Sequence, residues 1–522
     1  MITPNSKFII LKSPIELDNL NQLTFANATA QFNYFNSLTK REYDEVSFVR
    51  KDNIVVVETD EDFTYDDLLT YNYCMYQNTS YGDKWFYAFI EDCNYLNDGA
   101  CELKIKTDVY QSWQFDITWK QTFIEREHIA KSDDVVGANL IYENLEKGEY
   151  VVNSHSIDEN NILSNLEYVL GLTFNYLDIE ETGTHQRSGN YNGIFSGLKY
   201  YGIGTWGGVS AYLDAIDNAD KASGIGTIFM APKWLTTKQG TSTAIENSTE
   251  PATYDLNQNK LTTINGYTPH NAKLKTFPYC YLIVSNNQGG NISLYYEKFS
   301  TSNCQFVVKG ALTTGCSIVI IPKNYKGTSI NYNESLTLGK FPTCSWTNDV
   351  YTNWLTQQSV NIGIKEITSI GALIGGSIMM ATGAGALVGG GMALGGLKGI
   401  ADLMSERYEH SLVPPQASGN INSGDVNTSN SSNTFHFYHM SITNDMAQRI
   451  DSYFDMYGYA TNKLKLPNLN NRSNWNFIKT INCNILGDIP QKDIEEIKTM
   501  FNNGLTLWHN PSTFLDYSQS NN

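Results

Sequence analysis

Residues 367–397 constrain this chain more than any other stretch. They read ITSIGALIGGSIMMATGAGALVGGGMALGGL, 31 positions without one charged side chain. Eighteen uncharged apolar residues already suffice for a membrane span. Its larger apolar side chains are Ile367, Ile370, Leu373, Ile374, Ile378, Met379, Met380, Leu387, Val388, Met392, Leu394 and Leu397, and these are the residues expected to meet lipid. Ten of the 31 residues are glycine. At about 0.8–1 kcal/mol each relative to alanine, they cost a continuous helix roughly 8–10 kcal/mol. A permanent anchor is better served by leucine and isoleucine. Polar sequence also lies on both sides, and no positive cluster sets an orientation. Small residues recur at four-residue spacing (Gly371 with Gly375, Gly385 with Gly389, Gly391 with Gly395), which lets helices approach closely in lipid. As one helix the segment spans about 46 Å, more than a hydrocarbon core of roughly 30 Å. As a hairpin turning near Thr382-Gly383-Ala384-Gly385, each arm is long enough to span only when extended. A buried helical hairpin in an ordinary core is the plain alternative. The preferred expectation is a loop that is hidden in an oligomer until triggered and then becomes membrane-active.

The rest of the chain favours strands. Only 17% of its 522 residues are charged, while Tyr (33), Phe (23) and Trp (9) are abundant. That length predicts more than one domain. In residues 101–109, Cys101, Leu103, Ile105, Thr107 and Val109 alternate with Glu102, Lys104, Lys106 and Asp108, the period of a half-buried strand. Residues 84–90 form the strand before it, and Asn97-Asp98-Gly99 is the hairpin turn between them. Ile54-Val55-Val56-Val57 is a third strand signal. Helices are expected at 158–170 and 208–221, a strand at 225–230, and a surface loop at 236–262. Strands resume at 278–285, 293–299 and 304–321. Residues 351–366 and 398–410 read as helices flanking the apolar segment. Pro414-Pro415 ends the second. A Ser/Asn/Gly-rich linker fills 416–434. The fold class is therefore mainly β with α+β insertions. Its layout is a β-rich domain (1–136), a mixed α/β insertion (137–235), a β-rich domain (236–350), the apolar loop with flanking helices (351–415), and a linker with a C-terminal segment returning to the first domain (416–522).

Candidate chemistry is sparse. The net charge is −18 and no Lys/Arg cluster forms a basic face for gripping nucleic acid. Acidity suits a surface past which DNA slides without sticking, or simply solubility. The eight cysteines form no C-x-x-C pair and are expected to be small buried side chains in a protein made in a reducing cytoplasm. Gly202-Ile203-Gly204-Thr205-Trp206-Gly207 matches a dinucleotide fingerprint, but no train of βαβ units surrounds it, so it reads as a turn before a helix. His436 and His439 read as strand or loop residues and not a zinc pair. Glu125-Arg126-Glu127-His128 reads as a solvated strand edge. Asp60-Glu61-Asp62 with Asp66-Asp67 lacks calcium-loop spacing. No catalytic, metal or cofactor site is assigned.

Two blocks carry a resemblance. MYQNTSYGDKWFYAFIEDC (75–93) and IKTDVYQSWQFDITWKQTFIEREH (105–128) stand near the N-terminus. Tyr457-Gly458-Tyr459-Ala460, Lys465-Leu466-Pro467, Trp475-Asn476, Cys483-Asn484-Ile485 and NGLTLWH (503–509) stand near the C-terminus. With the apolar segment between them, the chain resembles the tail knob proteins of small short-tailed bacteriophages with protein-primed replication. The resemblance covers nearly the whole chain and is loosest over 130–350. It implies a ring-shaped homo-oligomer, a hexamer, whose N- and C-terminal parts build a β-rich tube wall at the distal end of the virion's tail. It implies that residues 367–397 plug the lumen, then enter the host cell membrane on infection as a channel for genome ejection. The implied partners are lower collar or tail tube proteins of the same virion, the host cell membrane, and double-stranded DNA that passes without specific binding. No cofactor is implied. The alternatives are a tail-associated cell-wall hydrolase and a receptor-binding module.

Overall fold

The computed structural model describes residues 6–46, 49, 51–78, 82, 84–176, 189–343, 346–348, 416–418 and 424–522. The chain forms two compact units and passes between them more than once. The first holds Met1–Glu149, Thr263–Tyr279 and Ile442–Asn522, and the second holds Tyr150–Thr262 and Cys280–Ser441. Both are built mainly from strands, with few helices.

In the first unit a six-stranded antiparallel sheet runs in the order Lys40–Val46, Ser6–Leu11, Tyr73–Asn78, Trp85–Asn97, Ala100–Thr107 and Ile54–Glu58. Its inner strands are covered on both faces, which is why Phe8-Ile9-Ile10-Leu11 is a continuous apolar run. Phe8, Ile10, Cys74, Tyr76, Leu103 and Ile105 pack on one face. Ile9, Leu11, Tyr73, Met75 and Phe89 pack on the other, where they meet Phe35, Trp475 and Trp508. Phe35 comes from the Ala28–Ser37 helix, whose first turn is capped by Asn27 accepting from the Ala30 N–H, and its ring stacks on Tyr73 at 5.4 Å. Burying each such ring is worth roughly 2–3 kcal/mol.

The two chain ends share a second sheet. Its order is Asn21–Leu23, Leu505–Trp508, Trp475–Ile481, Thr122–Glu127 and Tyr459–Lys465, parallel at the first pair and antiparallel elsewhere. The Gln491–Asn503 helix lays Ile494, Ile497, Met500 and Phe501 against Tyr110, Ile478 and Leu505. Between the Asn444–Tyr457 helix and the next strand stands Gly458, with φ +63°. A Cβ there would collide with the Glu127 carbonyl, so both the dihedral and the close approach require glycine.

The second unit contains three larger sheets. Leu166–Leu172 lies between Lys199–Ile203 and Ile225–Pro232. Tyr150–Ile157, His436–Ile442, Cys280–Ser285 and Asn291–Leu294 form a four-stranded sheet. Ala252–Asn259, Asn303–Ala311, Ser317–Tyr325 and Thr328–Ile330 form another, with Leu336–Leu338 also on Ser317–Tyr325. The Trp206–Asn218 helix packs Val209 and Ile216 against Leu170, Leu172 and Ile228.

Several expectations agree with these elements. Cys101, Leu103, Ile105 and Thr107 are the buried face of their strand, and Asp98-Gly99 turns the hairpin before it. The helix after the glycines and the strand from Ile225 are present. Other expectations need correction. Residues 158–170 are not a helix: two short 3-10 turns lead into Leu166–Leu172, a central strand buried on both faces, whose apolar run has no period to distinguish it from a helix. Residues 236–262 are not all loop. Ala252–Asn259 pairs in full register with Asn303–Ala311, and its outward Thr253, Asp255, Asn257 and Asn259 made it look like a loop. The linker at 416–434 contains the strand Gln416–Ser418 and the helix Gly424–Ser429. Asp108 is not a solvent-facing strand residue. It is buried, accepts the Gln111 N–H at a helix start, and burial raises its carboxyl to about 6. The expected helices at 351–366 and 398–410 lie outside the described residues.

Candidate functional site

The residues expected to meet lipid, Ile367, Ile370, Leu373, Ile374, Ile378, Met379, Met380, Leu387, Val388, Met392, Leu394 and Leu397, all lie outside the described residues. The described residues nearest to them in sequence, Trp346–Asn348 before and Gln416–Ser418 after, define the base of the excursion. The outgoing leg follows Leu336–Leu338. It is pinned to the Ile225–Pro232 strand by the Met230 N–H donating to the Pro342 carbonyl at 2.8 Å and by a bridge between Phe229 and Thr343. Trp346–Asn348 then pairs antiparallel with Gln416–Ser418, Asn348 opposite Gln416 and Trp346 opposite Ser418. Departure and return are therefore neighbours across one two-stranded ribbon. The return leg continues through the Gly424–Ser429 helix and a turn at 430–435 into the His436–Ile442 strand.

That strand carries the His-x-x-His pair, and the structure sends its two imidazoles to different neighbours. His439 Nδ1 meets the Tyr296 hydroxyl at 2.6 Å in the core. His436 Nε2 lies 3.2 Å from the Ser432 carbonyl, and its Nδ1 is 3.1 Å from His155 Nε2. Since Nε2 of His436 must carry a proton to reach a carbonyl, its Nδ1 accepts from His155. His155 is lowered by burial and by the neighbouring His436. Residues three apart on a strand point to opposite faces, so this spacing does not build one metal site.

The glycine fingerprint is a turn before a helix. Thr205 accepts the Gly208 N–H as N-cap of the Trp206–Asn218 helix. The carboxylate of Glu167, bonded to Lys238 at 2.7 Å, occupies the space over Gly202. A carboxylate placed there repels the pyrophosphate that such a fingerprint would hold. Asp60 accepts from the Asp62 and Phe63 N–H groups and pairs with Arg41 at 2.8 Å, a turn fixed by its own side chain.

Glu125-Arg126-Glu127-His128 is not a solvated edge. Its strand lies between Trp475–Ile481 and Tyr459–Lys465, and Glu127 and His128 are buried. Glu127 takes Lys465 and the Asn468 N–H. His128 Nδ1 accepts the Phe477 N–H at 2.8 Å, which leaves Nε2 to donate to the Asp455 carbonyl at 3.0 Å. Burial, with the charges of Arg472 and Arg126, lowers this imidazole to about 3. Arg126 and Lys273 both pair with buried Glu143, which also accepts the Ala460 N–H at 2.9 Å. Asp451 accepts from the Tyr267 hydroxyl and from the backbone of His270 and Asn271, and burial raises its carboxyl. Local charge pattern hides most of this, because many of the partners lie more than a hundred positions away, as with Lys273 and Glu143.

Among the described residues no group of three or more His, Cys, Asp or Glu side chains is placed to hold a metal ion, and no helix is long and apolar enough to cross a membrane. Of the seven cysteines described, six are buried and Cys93 is half-buried, in line with a set of small core side chains.

Residues 238–522 match the family described as the C-terminal domain of tail knob protein gp9 of Bacillus phage phi29, and residues 4–120 match the N-terminus of caudoviral major tail proteins. The chain is 24% identical to tail knob protein gp9 of Bacillus phage phi29, over 96% of each chain. It is 23% identical to tail knob protein gp9 of Bacillus phage B103, over 95% of each. In fold it is similar to the tail knob protein gp12 of bacteriophage C1, with a TM-score of 0.68 at 16% identity, over 98% of both chains.

Proposed function

Because the chain belongs to the family of the phi29 tail knob protein gp9 C-terminal domain, we propose that it is a structural protein of a phage tail, the tail knob, and that its apolar segment breaches the host membrane. In this reading six copies form a ring at the distal end of the tail. The unit that holds residues 1–149 and 442–522 contributes the tube wall, and the unit that holds 150–262 and 280–441 is a further domain. Segment 351–415 carries the membrane-active loop, which plugs the lumen before infection. Double-stranded DNA leaves through the conduit once the loops have entered the host cell membrane. The neighbouring tail proteins of the virion seat the ring. The chain performs no catalytic step.

One observation carries the reading. A 31-residue uncharged segment lies in sequence between two strands that pair with each other, Trp346–Asn348 and Gln416–Ser418. A segment tied at both ends to one ribbon is suited to move out and to remain attached. Its glycine content suits a change of shape better than permanent residence in lipid. The interleaving of residues 6–128 with 442–522 in one unit supports the joint role of the two ends in a wall.

The test is dye release from phosphatidylethanolamine/phosphatidylglycerol vesicles by the full chain and by a chain lacking residues 367–397. The reading expects release that the deletion abolishes while native mass spectrometry finds the same hexamer for both. Equal release by the two chains rejects it. Clearing of peptidoglycan in a gel assay favours the hydrolase instead.

A further inference from the structure

We propose that the turn between the strands Cys280–Ser285 and Asn291–Leu294 is a clasp that holds the two legs of the apolar excursion together, with Gln288 as its central residue. The inference rests on the reading of residues 367–397 as the membrane-active element.

The turn is shaped by its own sequence, Ser285-Asn286-Asn287-Gln288-Gly289-Gly290. Asn287 and Gly289 take positive φ, +52° and +94°. The Asn286 carboxamide oxygen accepts from the N–H groups of Gln288 and Gly290, both at 2.9 Å. A Cβ on Gly290 would press on the Asn286 amide and on Leu336, so a larger residue would have to displace the Asn286 side chain.

From this rigid turn three consecutive side chains reach outward. Toward the outgoing leg, Asn286 Nδ2 donates to the Thr337 carbonyl at 2.7 Å and Gln288 Nε2 donates to the Gly339 carbonyl at 2.7 Å. Gln288 Oε1 receives the Gly339 N–H in return at 3.4 Å. Toward the return leg, Gln288 Nε2 donates to Asn433 Oδ1 at 2.6 Å, and Asn287 Nδ2 donates to the Ser432 carbonyl at 3.3 Å. Asn427 Nδ2 closes the contact by donating to the Asn287 carbonyl at 3.2 Å. One carboxamide, that of Gln288, thus bonds at once to both legs, at Gly339 and Asn433, which are 94 positions apart in sequence.

Two features suit this contact to parting. Every bond in it is between neutral groups, so separating the legs strands no charge. The seam is also imperfectly satisfied: among the described residues, Asn433 Nδ2 and Thr428 Oγ1 are buried without a hydrogen-bond partner. Such groups gain by meeting water, which opposes the closed contact.

The experiment is hydrogen–deuterium exchange on the full chain, wild type against Gln288→Ala and Gln288→Glu, read together with vesicle dye release. Gln288→Ala is expected to speed exchange tenfold or more at Gly339 and in residues 427–434, with the Lys199–Ile203 strand of the same unit unchanged. Gln288→Glu cannot donate while ionised, so it opens the legs at pH 7.5. Near pH 4 its protonated carboxyl has one O–H to donate, so it is expected to recover protection only in part, at one leg. Unchanged exchange at the legs in both variants overturns the clasp. So does loss of protection throughout the unit in both, because the residue would then be a general support. Faster exchange at the legs with faster dye release supports the clasp and the membrane reading together. Faster exchange with no release from any of the three chains supports the clasp and counts against the membrane reading alone.

Discussion

The two units solve the problem of joining distant chain segments with different chemistry. In the first, segments distant in sequence are joined by ion pairs, Glu143 with Lys273 and Arg126 and Glu127 with Lys465, and by a neutral His128 that bonds to Phe477 and Asp455. In the second, the legs of the apolar excursion are held by the neutral amides of Asn286, Asn287 and Gln288. Removing one partner of a buried ion pair leaves a charge in a poorly solvated place, at about 3–5 kcal/mol. A neutral hydrogen bond that can exchange to water is worth about 0.5–1.5 kcal/mol net. The first arrangement resists opening, and the second permits it. The proposed function, in which the ring stays assembled while one segment departs, calls for both.

This contrast breaks if the ions of the first unit prove dispensable. Glu143→Gln strands Lys273 and Arg126, and urea unfolding is expected to show a loss of about 3–5 kcal/mol. A loss below about 1 kcal/mol places that network among weak, solvent-screened pairs. Gly458→Ala puts a Cβ against the Glu127 carbonyl at a positive φ, and about 2–3 kcal/mol is expected to be lost in the same assay.

Acid sharpens the contrast further. His128 is held near 3 in the fold, against about 6.5 when unfolded, so below pH 6.5 the unfolded chain binds the extra proton. Its contribution is fully present above that pH and falls by about 1.4 kcal/mol per pH unit on the way down toward pH 3. Asp108, raised to about 6, acts with the opposite sign between its unfolded value and pH 6. The diagnostic is therefore the difference between wild type and His128→Asn. The wild-type stability should fall more steeply between pH 6 and pH 4, and equal slopes would place the proton elsewhere. The smallest expected effect is that of Gln288→Ala on global unfolding, about 1 kcal/mol, because its bonds are neutral and its side chain is partly open to water.

Much of the strand framework was legible in sequence. The alternation from Cys101 to Thr107 and the Asp98-Gly99 turn carry their own local signal. So does the helix that follows the turn at Gly202–Gly207. What failed did so for identifiable reasons. Leu166–Leu172 is covered on both sides and has no alternation to display, while Ala252–Asn259 shows polar residues on its outer face and passes for a loop. Glu127 and His128 look like surface charge because Lys465, Asn468 and Phe477, which surround them, arrive from the far end of the chain. The clasp was invisible for a related reason. Asn-Asn-Gln-Gly-Gly announces a turn, but nothing in it says which two strands the amides will reach.

The central claim is that residues 367–397 enter lipid. The direct measurement places an environment-sensitive nitrobenzoxadiazole probe on Ala384→Cys, in a chain whose Cys93 and Cys344 are serine, and mixes it with vesicles carrying a quencher in the acyl region. The account predicts a blue-shifted emission that the lipid quencher extinguishes and that aqueous iodide does not, appearing together with dye release. A probe that stays red-shifted and iodide-accessible while the vesicles leak would contradict it.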